Sequence, residues 1–171
     1  METLLLMRHA KSDWHAGTGS DFDRPLSARG RAAAPRMGGW LAEQAFAPRL
    51  VVSSPARRAL ATAQAVLASM PPEQRPDLIL DERIYEASPD ELCAAIDAHG
   101  GSGDPMLIVG HNPGLELLLM RLLVPQAWPQ AGKLFPTAAV YALAPGPSGQ
   151  ITAAGEAKLL AHMRPSMLPE R

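Results

Sequence analysis

The stretch Leu4-Leu5-Leu6-Met7-Arg8-His9-Ala10 changes abruptly from apolar to polar at Arg8. An apolar run this short, ended by charge, reads as a buried strand that delivers Arg8 and His9 from its carboxyl end. The pattern recurs. Leu50-Val-Val-Ser53 leads into Ser54-Pro-Ala-Arg-Arg58, and Met106-Leu-Ile-Val109 leads into Gly110-His-Asn-Pro113. Asp77-Leu-Ile-Leu80 offers a further strand.

Helical spacing follows these runs. Ala59, Ala63, Val66 and Leu67 recur after Pro55, which is placed as a first-turn proline. Leu115, Leu118, Leu119 and Leu122 recur after Pro113, with Asn112 as the expected N-cap. Ser88-Pro-Asp-Glu91 has the capping-box pattern and opens a helix running to Gly100. Ser27 to about Ala45 is helical in pattern, and Pro35 is expected to kink or interrupt it. Near the end, Ala138–Leu143 and Gln150–Ala154 predict two strands joined by the Pro145-Gly-Pro-Ser-Gly149 turn cluster. Alternating strands and helices predict an α/β three-layer sandwich, a mostly parallel central sheet with helices on both faces. The chain of 171 residues fits one domain spanning 1–171, with a loose tail from about Pro165.

Composition narrows the function classes. The net charge is −1, which gives no electrostatic reason to expect a nucleic-acid partner. Cys93 is the single cysteine, so an intrachain disulfide is impossible and a cysteine zinc site is not expected. The apolar N-terminal run is too short to cross a bilayer and lacks the features of a signal peptide. The expectation is a cytoplasmic protein with no membrane partner.

In a parallel sheet, ligands gather beyond the carboxyl ends of the strands. Here those ends carry Arg8 and His9, Arg57 and Arg58, and His111. Arginine forks match phosphate oxygens and stay charged at any working pH. A neutral histidine can attack phosphorus, while arginines neutralise the developing charge without a metal. One histidine at a strand end is more often a packing residue, but three strand ends bearing His or Arg point to a phosphate-binding domain, with hydrolysis the natural chemistry.

These residues resemble a known family. Leu6-Met-Arg-His-Ala10 resembles the signature strand and loop of the histidine phosphatase superfamily, which includes cofactor-dependent phosphoglycerate mutases. Ser53-Ser-Pro-Ala-Arg-Arg-Ala-Leu-Ala-Thr-Ala63 and Val109-Gly-His-Asn-Pro-Gly-Leu115 resemble its second and third motifs. Arg8-His9-Ala10-Lys11-Ser12, Arg24-Pro-Leu-Ser-Ala-Arg-Gly30 and Tyr85-Glu-Ala-Ser88 are most similar to SixA-type phosphohistidine phosphatases. The resemblance implies that His9 is a nucleophile that becomes phosphorylated, and that Arg8, Arg58 and His111 bind the phosphoryl oxygens. Arg58 fits the family spacing to Thr62 better than Arg57, which reads as a solvated neighbour. Arg24 and Lys11 are implied as substrate-binding residues. The implied enzyme is a phosphohistidine phosphatase acting on a histidine-phosphorylated protein of phosphorelay or phosphotransfer type, with no cofactor and no metal.

The sequence departs from the commonest pattern in two places. Ala10 replaces the usual glycine after the histidine, as in SixA-like members. The carboxylate proton donor of the mutases has no clear counterpart, and Glu82, Glu86 or neither could serve. The short span between Glu82 and His111 predicts a shallow, open site. A small-molecule phosphomonoesterase or a non-catalytic phosphoprotein-binding module are the alternatives. His15, His99 and His162 read as surface or helix-end residues, Cys93 as buried and inert, and Gly100-Gly-Ser-Gly103 as a flexible connection.

Overall fold

The computed structural model describes residues 1–129 and 132–169. Each apolar run forms a strand: β1 (Leu4–Arg8), β2 (Leu50–Ser53), β3 (Asp77–Leu80) and β4 (Met106–Gly110). These pair in parallel, and β5 (Val140–Ala144) and β6 (Lys158–Met163) extend the sheet antiparallel, in the order β3-β2-β4-β1-β5-β6. β1 therefore lies between β4 and β5, with its carboxyl end beside those of β4 and β2.

Helices α1 (Ala28–Ala42) and α2 (Arg57–Ala68) pack together on one face of the sheet, α3 (Pro89–His99) and α4 (Gly114–Leu122) on the other. Alternation along the strands feeds both cores. Leu4, Leu6, Val52, Met106 and Ile108 join the α3–α4 side, whereas Leu5, Met7, Val51, Leu107 and Val109 join the α1–α2 side. Burying a side chain of this size stabilises by roughly 1.5–3 kcal/mol, and the long uninterrupted apolar runs are what a sheet covered on both faces requires. The expected three-layer architecture is present.

Several boundaries differ from the sequence reading. α1 ends at Ala42 and carries Pro35 within it rather than breaking there. Pro55 lies outside α2, whose cap is Ala56, and Pro113 caps α4 in place of Asn112. The side chain of Asn112 instead donates to the carbonyl of Phe135 at 3.0 Å. Gln150–Ala154 is not a strand: that stretch belongs to a loop that returns to the end of α4, where Gly155 and Ala157 donate to the carbonyls of Arg121 and Leu122. The strand lies further on, at Lys158–Met163. The tail expected to be loose is held as far as Pro169, because Arg36 donates to the carbonyls of Leu168 and Pro169; its last two positions lie outside the described residues. The capping box at Ser88 forms as expected, with Glu91 Oε2 accepting from the Ser88 N–H at 2.8 Å. Cys93 is half-buried rather than buried. No helix among the described residues is long and apolar enough to cross a membrane.

The first turn of α1 sits against the segment that follows His9. Ser27 caps the helix by accepting from Gly30, and both its N–H and its hydroxyl donate to the Lys11 carbonyl. Gly30 permits this approach, since a Cβ there would collide with the same carbonyl oxygen. We expect Gly30→Ala to cost about 1–3 kcal/mol through backbone displacement, despite the better helix propensity of alanine. Urea unfolding checks this, and an unchanged midpoint would show that the contact yields freely.

Candidate active site

The strand ends and their loops bring two histidines together, with their rings tilted by 53°. The His9 N–H donates to the Gly110 carbonyl at 2.9 Å and the Ser54 N–H to the Val109 carbonyl at 3.0 Å, so pairing continues just past β1 and β2. The rings of His9 and His111 lie 5.1 Å apart between centroids. Arg58, from the first turn of α2, is 4% exposed and directs its Nε–H to His9 Nε2 at 3.3 Å. On the other side of the ring, His9 Nδ1 is 2.7 Å from the Ala10 carbonyl oxygen. A carbonyl can only accept, so Nδ1 carries the proton and Nε2 presents its lone pair.

The cleft around these groups has a volume of about 430 Å³ and is lined by Arg8, Lys11, Arg24 and Glu86 as well as His9, Arg58 and His111. Arg8 Nη1 donates to the Phe135 carbonyl at 3.0 Å. Its Nε and His111 Nδ1 are buried without a hydrogen-bond partner among the described residues. His111 Nε2 lies 2.9 Å from Ser54 Oγ. Lys11 is exposed at the margin, and Arg24 is buried. Arg57, next to Arg58 in sequence, is exposed and does not line the cleft.

One residue that the sequence reading missed organises the cations. Asp21 Oδ1 accepts from Arg24 Nη2 at 2.7 Å, and Asp21 Oδ2 from Arg58 Nη2 at 2.9 Å and from Tyr85 at 3.1 Å. Its backbone carbonyl takes Arg58 Nη1 at 2.6 Å, and Ser12 Oγ accepts from Arg24 Nη1. Partial burial opposes ionisation of Asp21. The Arg24 hydrogen bonds, the Arg58 charge and the Tyr85 hydroxyl outweigh it and hold the carboxyl at about 2. Thr62 is a second omission: its hydroxyl donates to the Arg58 carbonyl and accepts the Ala10 N–H at 3.0 Å, tying α2 to the loop that carries His9. Of the two glutamates left open by the sequence, Glu86 lines the cleft, with φ at 53°, and Glu82 lies outside it.

Burial is the largest cause of a low pKa at both histidines. His9 is held at about 3, where the Ala10 hydrogen bond opposes the shift and His111, Arg58 and Arg8 add to it. His111 is held at about 4, where Arg58 assists and Asp21 opposes. Both rings are neutral at pH 7.

Linkage then fixes a sign. A histidine titrates near 6.5 in the unfolded chain, so below that pH the unfolded state binds protons that the folded state refuses. Stability is full above 6.5 and falls as pH drops toward about 4 and about 3. The slope is up to about 1.4 kcal/mol per pH unit for each ring. We expect urea midpoints to fall between pH 7 and pH 5, and the fall to shrink in a His9→Gln, His111→Gln double variant. An undiminished fall in that variant would show that other groups carry the pH dependence.

Comparison with known proteins places this arrangement. The model of the histidine phosphatase superfamily (branch 1) matches residues 4–91. An uncharacterized protein of Mycobacterium tuberculosis is 35% identical over 116 residues, covering 68% of this chain and 69% of that protein. A structure from Agrobacterium tumefaciens, described as a candidate phosphohistidine phosphatase SixA, superposes with a TM-score of 0.77 at 27% identity, covering 95% of this chain and 97% of that one. One from Nakamurella multipartitia, described in the same way, has a TM-score of 0.77 at 28% identity and covers 96% of each chain. Family model, relatives and fold agree with the paired histidines and buried arginines of the cleft: the chain belongs to the histidine phosphatase superfamily and is a phosphatase of the phosphoglycerate mutase-like fold.

Proposed function

We propose that the protein is a cytoplasmic phosphohistidine phosphatase, a single domain over 1–171, that removes the phosphoryl group from a histidine-phosphorylated protein of phosphorelay or phosphotransfer type. The observation that carries the mechanism is the state of His9: buried, neutral, with Nδ1–H committed to the Ala10 carbonyl and the Nε2 lone pair beside Arg58. The substrate class is supported by the SixA structures among its neighbours.

In the first step His9 Nε2 attacks phosphorus and a new P–N bond forms. The P–N bond to the substrate imidazole breaks, and its electron pair returns to that ring. A phosphohistidine protonated at its other ring nitrogen leaves as neutral imidazole, so no proton donor is required. Water then attacks phospho-His9, inorganic phosphate departs, and Nε2 recovers its lone pair. Arg8, Arg58 and His111 bind the phosphoryl oxygens and stabilise their charge as it redistributes. Arg24 and Lys11 bind substrate around them. Asp21, held at about 2, stays a carboxylate at neutral pH and serves as counter-ion to the arginines.

A small-molecule phosphomonoesterase is the second reading, favoured by one observation: Glu86 lines the cleft, where it could protonate an alkoxide leaving group. Paired hydrolysis of a phosphohistidine-bearing protein and a panel of phosphate monoesters, with EDTA and without added metal, separates the two. We expect preferential release from histidine, loss of at least about 10³-fold in His9→Ala, and little response to Glu86→Gln. Faster monoester turnover that collapses in Glu86→Gln would establish the second reading. A protein that binds but never turns over would be a phosphoprotein-binding module.

A further inference from the structure

Trp14 is the most exposed large apolar side chain among the described residues, at 70% exposure, and it lines the cleft. An indole at the margin of a polar cleft offers a bound group a flat aromatic face. Its orientation is fixed from behind. The guanidinium carbon of Arg24 lies 3.6 Å from its ring centroid, and Arg24 is itself buried and pinned by Ser12 and Asp21. One face of the indole is thus occupied by a cation that cannot easily move. The exposure leaves the opposite face open.

The same pinned elements run on to the nucleophile. Asp21 joins Arg24 to Arg58, and Arg58 reaches His9. Trp14 is therefore placed at the margin of the cleft by the network that places the phosphoryl-binding arginine. A leaving group departs on the side opposite the attacking His9 Nε2, and that side must open toward the Trp14 margin for the two to meet.

We propose that the open face of Trp14 receives the imidazole ring of the substrate phosphohistidine and selects for it, an inference that rests on the phosphohistidine reading above. A phosphohistidine protonated at its second nitrogen is a flat cation, and an aromatic face attracts it by stacking and by cation–π interaction. The ring loses its positive charge as the P–N bond breaks. The bond is still breaking in the transition state, so the ring keeps its stacking and part of its charge there. The contact is made in both states, and its loss raises KM and leaves kcat little changed.

The test compares the phosphohistidine-bearing protein with phosphoramidate, which has the same P–N bond and no ring. In Trp14→Leu the ratio of kcat/KM for the protein to that for phosphoramidate falls about tenfold, through KM, and Trp14→Phe restores most of it. An unchanged ratio, or equal losses on both substrates, would overturn the inference: the second result means that Trp14 merely shields Arg24. A ratio in Trp14→Phe as low as in Trp14→Leu would also overturn it, since an aromatic face would then not be what the substrate reads. Failure of the underlying reading looks different, because the wild-type protein would then release no phosphate from histidine at all.

Discussion

The parallel pairing of β1 with β4 is the constraint on which the site depends. It sets Arg8 opposite Gly110, and the His9 N–H extends the ladder to the Gly110 carbonyl. His111 is the next residue along, so the two imidazoles can meet only in this register. A slip by one position would send every side chain of β1 to the other face. Apolar alternation does not forbid such a slip, because both faces are covered and Leu4 to Met7 are apolar throughout. The register is held at the strand ends instead. Asp104, just before β4, accepts from the N–H groups of Glu2 and Thr3 at 2.6 and 3.0 Å, while Arg8 is tied to Phe135 beyond the other end.

Bringing Arg8, Arg24 and Arg58 to one cleft creates a surplus of positive charge, and buried guanidinium groups are tolerated only when paired. Asp21 answers that requirement from a segment with little regular structure. The segment is closed at its base by the Ser12–Leu26 bridge and by the Asp13 N–H donating to the Pro25 carbonyl. Phe22, one residue on, packs edge-on against Tyr85 at 5.1 Å between centroids. The loop therefore owes its shape to the same arginines that it positions, and its order and the site's charge balance depend on one another.

The parts of this arrangement legible in the sequence share a physical character. Short apolar runs ending in Arg-His, Ser-Ser and Gly-His are local patterns, and with Asp77–Leu80 they mark the four parallel strands and bring His9, Arg58 and His111 to one edge. Asp21 was not legible because its partner Arg58 lies far along the chain and nothing periodic marks the loop between them. Thr62 entered only as a spacing mark, although it carries the bond that joins α2 to Ala10. β6 was misplaced for a different reason. Lys158-Leu-Leu-Ala-His-Met163 lacks β-branched residues and favours helix on propensity, and pairing along β5 overrides that preference. Asn112 does not cap α4 because its side chain is turned to the Phe135 carbonyl and to Glu116.

The depressed basicity of His9 bears on whether a covalent intermediate would persist or turn over. A histidine at about 3 is a weaker nucleophile than a free imidazole, but it is neutral at every pH at which the protein would work. In the covalent route proposed above, the same property acts in reverse on the phosphoenzyme. When water attacks phosphorus, the imidazole of His9 must depart, and the less basic a leaving nitrogen is, the more readily it goes. Burial that slows the first step thus speeds the second. With exposed Lys11 and Trp14 at its margin the cleft also admits water, whereas an enzyme that passes its phosphoryl group to a second organic acceptor must exclude it. In that route, low basicity speeds the departure of His9 to any acceptor and the open margin makes water that acceptor, so it is the margin that would separate a phosphatase from a mutase built on the same strand ends.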